Sequence, residues 1–192
     1  IKGEFHFNMS EVTFKQNKGQ TQGGAVAIFG SGSTTVSWSS VKFQQNRLND
    51  SEKYFYEAGG GAFFTNQSII NLFIVNSIFE KNRVNAKHNN YYYKGGAIAF
   101  YSKEIQNIVL LNTTMEHNQA DRANGGAIFL KSEMYYAKTS FTFQIINCRM
   151  AYNRVTFQSG GFMWLETNFP SVGNVEIIIV NSEFLFNNCT EF

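Results

Sequence analysis

Apolar and polar residues alternate in short stretches that recur along the chain at nearly constant spacing. Each of six stretches ends in Phe or Met followed three residues later by Asn. These asparagines are Asn17, Asn46, Asn82, Asn118, Asn153 and Asn187. Their spacings of 29, 36, 36, 35 and 34 residues are those of a solenoid, in which each repeat forms one unit stacked on the next.

The residues before each Phe or Met have the two-residue period of a β-strand. In every copy the positions seven and five residues upstream are apolar, whereas the position between them is mixed. The pairs are Phe7 and Met9, Val36 and Trp38, Leu72 and Ile74, Ile108 and Leu110, Phe143 and Ile145, and Ile177 and Ile179. This alternation predicts a strand with one face in the core, because a helix requires apolar spacings of three and four.

A second mark, a glycine pair followed by apolar residues, alternates strictly with the first. The pairs are Gly23-Gly24, Gly60-Gly61, Gly95-Gly96, Gly125-Gly126 and Gly160-Gly161. The second residue beyond each pair is apolar, which predicts another strand in each repeat. We expect the glycines where the backbone turns tightly and a neighbouring turn comes close. A phosphate-binding loop is disfavoured because no helix follows.

Together the two marks predict an all-β fold, a right-handed single-stranded parallel β-helix of about six rungs. Residues 1–192 form a single module of it. One turn reads as glycine pair, strand, variable loop, strand, Asn corner and variable loop. We expect a segment of a longer solenoid with uncapped ends. Such ends recruit further strands, so they should meet further solenoid repeats or self-assemble end to end.

The corner asparagines are expected to form an internal amide ladder, in which each side chain bonds to its equivalent one turn away. Asn also tolerates the left-handed backbone that sharp corners require. A second, partial ladder is expected three residues before the Phe or Met, where Asn112 should be buried. Its members are Asn76, Asn112, Asn147 and Asn181, with Glu11 and Ser40 in the first two copies.

The combination of GGA followed by Ile or Val with Phe-x-x-Asn resembles the repeats of the chlamydial polymorphic outer membrane proteins. The resemblance runs from Phe5 to Asn187, with Met115 and Met150 in place of Phe and Phe162 in place of Ala. Those proteins are autotransporter adhesins with β-helical, pectin-lyase-like passenger domains. The resemblance therefore implies an extracellular or cell-surface location and an adhesive or scaffolding role. The composition, rich in Asn, Lys, Phe and Tyr, also resembles that of surface β-helix proteins of ciliates.

Composition narrows the possible partners. With 20 Phe, 22 Asn and one Pro, the chain has the character of a folded rather than a disordered protein. The net charge of +2, without a polybasic block, predicts no nucleic-acid or acidic-membrane partner. The absence of a run of 18 apolar residues predicts no direct membrane insertion. Cys148 and Cys189 leave the redox compartment open, and the sequence does not decide whether they are bonded.

Catalysis is the main alternative, because polysaccharide lyases and hydrolases also use β-helices. Those enzymes rely on clusters of Asp, whereas Asp50 and Asp121 stand apart in predicted variable loops. Glycoside hydrolysis requires two carboxylates about 5–10 Å apart, and only Glu80 and Glu116 share a repeat position. The three histidines share none: they are His6, His88 and His117. We therefore expect no catalytic residue, no metal site and no cofactor, and the alternative function is a carbohydrate-active module.

Two predicted loops contain aromatic clusters at the same place in successive turns. The residues are Tyr54, Phe55 and Tyr56, and then Tyr91, Tyr92 and Tyr93. One interpretation is that they cap the loops against the rod; the other is an exposed ridge that binds glycan or protein. Glycosylation sequons begin at Asn8, Asn49, Asn66, Asn112 and Asn188, of which Asn49 and Asn66 are expected in loops. These features favour a structural or adhesive rod.

Overall fold

The chain forms parallel strands stacked in a β-solenoid, so the predicted all-β class is confirmed. The computed structural model describes residues 4–20, 22–49, 58–85, 93–102, 107–132, 141–156, 159–167 and 175–190. Every strand pair in these ranges is parallel, and equivalent positions of successive repeats face each other. For example, Ile108 pairs with Leu72 on one side and with Phe143 on the other.

The strands, numbered in chain order, fall into three main sheets and one short pair. Sheet A contains β1 (Glu4–Ser10), β4 (Val26–Ser39), β8 (Phe63–Val75), β12 (Ile98–Ser102), β13 (Asn107–Leu111), β16 (Ile128–Ser132), β17 (Phe141–Ile146), β20 (Met163–Thr167) and β21 (Val175–Val180). Sheet B contains β2 (Thr13–Lys15), β5 (Lys42–Gln44), β9 (Ile78–Glu80), β14 (Thr114–Glu116), β18 (Arg149–Ala151) and β22 (Glu183–Leu185). Sheet C contains β3 (Lys18–Gly19), β6 (Arg47–Asn49), β10 (Arg83–Asn85), β15 (Gln119–Asp121), β19 (Arg154–Thr156) and β23 (Asn188–Thr190). The short pair is β7 (Ala58–Gly59) with β11 (Tyr93–Lys94).

Sheet A contains both strands predicted for each turn. In β17, burial alternates strictly, with Phe141, Phe143 and Ile145 in the core and the residues between them partly exposed. The predicted loop between the two strands is absent in two repeats, because β4 and β8 run through both halves as single strands of 14 and 13 residues. Register shifts in the β4–β8 pairing accommodate this continuity.

Sheets B and C correct the predicted order of one turn, which placed a variable loop directly after the Asn corner. The Phe or Met of the first mark lies in the middle of its own short strand in sheet B. The corner Asn then leads into another short strand in sheet C. Each strand of sheet C contributes one inward residue, and the fully buried ones are Leu48, Val84, Ala120 and Val155.

Apart from the glycines and Arg122, left-handed backbone occurs at two corners of each turn, but not at the ladder asparagines. Between sheets A and B it falls on Glu11, Ser40, Asn76, Asn112, Asn147 and Asn181. Between sheets B and C it falls on the residue before each ladder Asn: Gln16, Gln45, Lys81, His117, Tyr152 and Phe186. Tolerance of left-handed backbone is therefore not the reason that Asn occupies the ladder positions.

The two glycines of each pair have different roles, as illustrated by Gly95 and Gly96. Gly95 has φ of +74°, a conformation that side chains disfavour. Gly96 lies so close to the next turn that an added Cβ would collide with the carbonyl oxygen of Gly126 and lie 2.7 Å from the backbone nitrogen of Gln119. The predicted tight turn and close approach are both confirmed.

The interior is a column of stacked side chains rather than a core of interdigitated layers. Phe14, Phe43 and Phe79 stack nearly parallel, with ring centroids 4.8 and 5.0 Å apart. Met115 and Met150 continue this column and are fully buried. Aromatic rings at successive spacings of about 5 Å match the distance between hydrogen-bonded strands, so backbone pairing and ring stacking reinforce each other.

We predict that Gly96→Ala destabilises the solenoid by about 1–3 kcal/mol, because the new methyl group would collide with the backbone of Gln119 and Gly126. Urea unfolding of the variant should show this loss. Thr142→Ala, a partly exposed position on the outer face of β17, serves as the control and should change stability by about 0.5 kcal/mol or less. A Gly96→Ala variant as stable as the control would contradict the close approach.

Candidate functional site

The structure brings all six predicted ladder asparagines together in one line of hydrogen bonds. The Nδ2 of each of the first five donates to the Oδ1 of its equivalent in the next repeat, at 2.8, 3.0, 3.0, 3.0 and 2.9 Å in chain order. The backbone N–H of each donates to the same oxygen at 3.0–3.1 Å. The line runs along the corner between sheets B and C.

Each internal ladder amide uses its full hydrogen-bonding capacity. In addition to the bond along the ladder, Nδ2 of Asn118 donates to the carbonyl oxygen of Phe79 at 2.9 Å. Its Oδ1 accepts from both the backbone and the side chain of Asn82. An amide offers two donor hydrogens and two acceptor lone pairs, and all four are used here. The accepting carbonyl is that of the Phe or Met in the preceding repeat, so this bond also ties successive turns together.

The second, partial ladder is weaker than expected. Its members lie at the left-handed corner between sheets A and B, and Asn76, Asn112, Asn147 and Asn181 are all exposed. The expected burial of Asn112 is wrong, and its Nδ2 donates to Oδ1 of Asn76 at 3.2 Å. The short side chain and left-handed tendency of Asn account for its presence at these positions better than burial does.

A second internal column, which the sequence patterns did not reveal, lies one residue after that corner. It is formed by Ser77, Thr113, Cys148 and Ser182, whose side chains bond to strand carbonyl groups of their own and the preceding repeat. The Sγ of Cys148 lies 3.3 Å from the carbonyl oxygen of Leu110 and thus occupies a hydroxyl position. Burial raises the pKa of the Cys148 thiol. Both cysteines are free thiols, with Cys148 buried and Cys189 exposed.

Charged side chains on the outer face of sheet B pair between repeats. Arg149 bonds Glu116 at 2.5 Å and Glu183 at 2.6 Å, and these carboxylates raise the pKa of its guanidinium group. Lys81 contacts Glu80 at 2.6 Å and lowers the pKa of that carboxyl group. Glu80 and Glu116 pair in register, so the two glutamates that share a repeat position do lie on adjacent strands.

Asp121 lies at the end of strand β15 rather than in the predicted loop, and Asp50 lies outside the described residues. Both carboxylate oxygens of Asp121 are occupied. Arg83 forms a salt bridge to Oδ2, while Gln119 and Thr156 donate to Oδ1 at 2.6 and 3.0 Å. This aspartate therefore ties neighbouring strands of sheet C together.

An exposed aromatic stack follows the corner between sheets B and C. His117 lies parallel to Tyr152 with ring centroids 4.9 Å apart, and Tyr152 stacks on Phe186 at 5.2 Å. Phe186 is 72% exposed, so one face of the stack is open. The pattern that could have revealed this stack is the residue before each ladder Asn, which becomes aromatic only in the later repeats.

The predicted tyrosine ridge falls largely outside the described residues. Tyr54, Phe55, Tyr56, Tyr91 and Tyr92 lie there, and only the backbone of Tyr93 is described, in strand β11 paired with Ala58. The ridge remains a prediction.

The two favoured glycosylation positions lie in strands, not in loops. Asn49 ends strand β6 and is partly buried, with its Oδ1 shielded from solvent and without a hydrogen-bond partner. Asn66 lies in strand β8 and is exposed. Of the two, Asn66 therefore presents the more accessible side chain.

Within the described ranges, no group of three or more His, Cys, Asp or Glu side chains is placed to hold a metal ion. His6 and His117 are exposed, and His88 lies outside those ranges. The same part of the chain contains no helix of the length and apolarity needed to cross a membrane.

Comparison with known proteins gives no relative: no protein-family model, curated protein or solved structure matches the chain.

We predict that Asn118→Ala lowers the free energy of unfolding by about 1–3 kcal/mol, because it leaves buried polar groups of Phe79, Asn82 and Asn153 short of partners. Asn107→Ala is the matched control, since this exposed strand residue bonds the side chain of Asn71 at the surface, and it should cost about 0.5 kcal/mol or less. Denaturant titration of both variants measures the difference. Equal stabilities would show that the ladder contributes nothing.

We predict that a thiol reagent modifies Cys189 in the folded protein and leaves Cys148 intact. Cys148 is 3% exposed and its raised pKa keeps it in the unreactive thiol form, whereas Cys189 is exposed. Counting modified thiols by mass spectrometry before and after denaturation checks this. Cys148→Ser, which supplies the hydroxyl found at equivalent positions, should give one reactive thiol in both states. Rapid modification of Cys148 in the folded protein would show that the reagent reaches this internal column and would contradict the prediction.

Proposed function

We propose that this chain is a structural or adhesive rod, extracellular or at a cell surface, that mediates assembly or contact with protein or glycan. In this proposal the solenoid is a right-handed β-helix with six rungs. Six copies of the repeat and six strands in each of sheets B and C support the number of rungs. Parallel strands joined by crossover connections are right-handed in nearly all proteins, which supports the handedness.

The observation that carries the proposal is the exposure of core positions on strands β21 and β22. Ile177, Ile179 and Phe184 are 47%, 53% and 40% exposed. Their partners in the preceding repeat, Phe143, Ile145 and Met150, are fully or almost fully buried. These apolar side chains continue the core columns and would be buried by another solenoid turn with apolar residues at the same positions. We therefore propose that further solenoid turns cover this face.

The direction of the ladder supports head-to-tail stacking. Every ladder bond runs from the amide of one Asn to the Oδ1 of the next, so Asn187 accepts from Asn153 and Asn17 donates to Asn46. At one end of the ladder, the backbone N–H of Asn187 is placed where the other ladder asparagines donate. At the other end, Oδ1 of Asn17 is placed where the other ladder asparagines accept. Joining the two ends continues the ladder, whereas joining two like ends does not. A head-to-tail contact of this kind extends without closing and produces a filament.

The resemblance of the GGA and Phe-x-x-Asn marks to chlamydial polymorphic outer membrane proteins supports a surface role, because those proteins are adhesins. The exposed stack of His117, Tyr152 and Phe186 supports contact with a partner, since stacked aromatic rings offer apolar area to protein or glycan. Screening polysaccharides for binding and for cleavage separates this proposal from a carbohydrate-active module. Binding without cleavage is the expected result.

We predict that residues 1–192, expressed alone, associate end to end in a concentration-dependent manner, measured by sedimentation velocity and electron microscopy. Ile177→Lys/Ile179→Lys should weaken the association by about tenfold or more, because both side chains face the exposed end of the core. Val180→Lys is the control. This residue is 41% exposed and lies on the same strand, but its side chain is on the outer face of the sheet rather than on the core face. A monomer at all concentrations, or equal effects of both variants, would contradict the assembly.

A further inference from the structure

The outward residues at the start of sheet C strands form a column of mainly basic side chains. Lys18, Arg47 and Arg83 stand on adjacent strands in direct register, followed by Gln119 and Arg154. The parallel pairing places neighbouring members about 4.8 Å apart. Like charges at such positions repel each other and destabilise a sheet unless something neutralises them.

Lys15 and Lys42 lie on the two neighbouring strands β2 and β5 of sheet B, and these two lysines together with Lys18 and Arg47 are called the basic strip. Between residues 12 and 49 the chain carries these four cations and no Asp or Glu. Lys15, Lys18 and Lys42 are exposed, and Arg47 is partly exposed. The overall charge of +2 hides this concentration, because residues 155–192 carry four glutamates and no Lys or Arg.

The strip lacks the anionic partners that several other cations of the described surface have. Lys81, Lys131 and Arg149 each pair with a glutamate, and Arg83 pairs with Asp121. Among the described residues no carboxylate lies in salt-bridge range of the four strip cations. The Nε of Arg47 is moreover buried without a hydrogen-bond partner.

We propose that the basic strip binds an acidic polysaccharide, whose carboxylate or sulfate groups recur along an extended chain. Parallel register aligns Lys18 and Arg47 along the stacking direction, so a linear polyanion can lie along the strip. Amide side chains stand among the cations, and Gln16 donates to Gln45 at 3.0 Å between successive repeats. Such amides suit the hydroxyl groups of sugars.

An acidic polysaccharide fits the strip better than a single-stranded nucleic acid does. Nucleic-acid sites of this kind stack bases on aromatic side chains. The outward positions of strands β2, β3, β5 and β6 hold Thr, Lys, Gln, Arg and Asn, with no aromatic residue. This inference does not depend on end-to-end assembly, because the strip lies on the side of the rod.

The test measures binding of the 192-residue chain to immobilised dextran sulfate, polygalacturonate and neutral dextran over a series of salt concentrations. We expect binding to one or both acidic polymers, weakening as salt rises, and none to neutral dextran. The two acidic polymers distinguish sulfate from carboxylate as the preferred group. Binding to neutral dextran equal to that of the acidic polymers would overturn the proposal.

Lys18→Gln/Arg47→Gln should weaken binding by about tenfold, because it removes both central cations of the strip. Lys81→Gln/Arg154→Gln is the matched control. It also removes two positive charges, one from Lys81, which is paired with Glu80, and one from Arg154, at the far end of the sheet C column. This variant should weaken binding by about threefold or less. Equal losses in the two variants would show that only net charge matters, and the proposed site would be wrong.

Two further measurements keep the result interpretable. Circular dichroism of each variant shows whether the solenoid remains folded, and Lys18→Arg should retain binding because the charge is kept. Sedimentation without polysaccharide shows whether the strip contacts another copy instead. If Lys18→Gln/Arg47→Gln abolishes self-association and leaves binding to both acidic polymers unchanged, the strip is a contact for the acidic end of a second copy. Stronger binding to a single-stranded oligonucleotide than to either polysaccharide would also overturn the proposal.

Discussion

Each internal ladder asparagine bonds to the same amide in the repeats before and after it and to one strand carbonyl oxygen. Asn118 accepts from Asn82 and donates to Asn153, and a shift of one residue between neighbouring turns would break both bonds. Because unpaired polar groups in the interior are costly, this requirement fixes the register of the whole stack. The stacked phenylalanines, the column of hydroxyl groups and the close approach of glycine backbones all depend on that register.

The same register converts repeat positions on the outer faces into columns. A column is free to change its chemistry from turn to turn, because its members face solvent rather than the core. On the outer face of sheet B, Arg149 lies between two carboxylates. The corner between sheets B and C becomes aromatic at Tyr152, and the first strands of sheet C carry Lys18 and Arg47. The interior therefore specifies the fold, while differences among the repeats on the outside specify the chemistry of the surface.

Sequence patterns predicted the solenoid and its inward strand positions because every repeat buries the same residue types at the same spacing. They missed sheet C because its strands are two or three residues long and each contributes one inward residue, such as Leu48 or Val84. A period of two cannot be recognised in so short a stretch. The left-handed corners were also misplaced, because the residues there are as different as Lys81 and Tyr152 and share only a backbone geometry that stacking imposes.

The surface features were harder to predict, for a related physical reason. Arg149 is 33 residues from Glu116 and 34 from Glu183, so the ion pairs appear only when the turns are aligned. The basic strip is likewise inconspicuous in a linear sequence with a balanced net charge. Net charge is informative about long-range attraction, but binding depends on where the charges of one sign come together.

The hydrogen bonds of the sheets and of the ladder all lie roughly along the stacking direction, which has a mechanical consequence. A force that pulls the two ends of the chain apart along that direction loads successive turns in series. Each detached turn of 29–36 residues would lengthen the tether by about 100 Å. Such a molecule would yield to tension in discrete steps and absorb work repeatedly before failing.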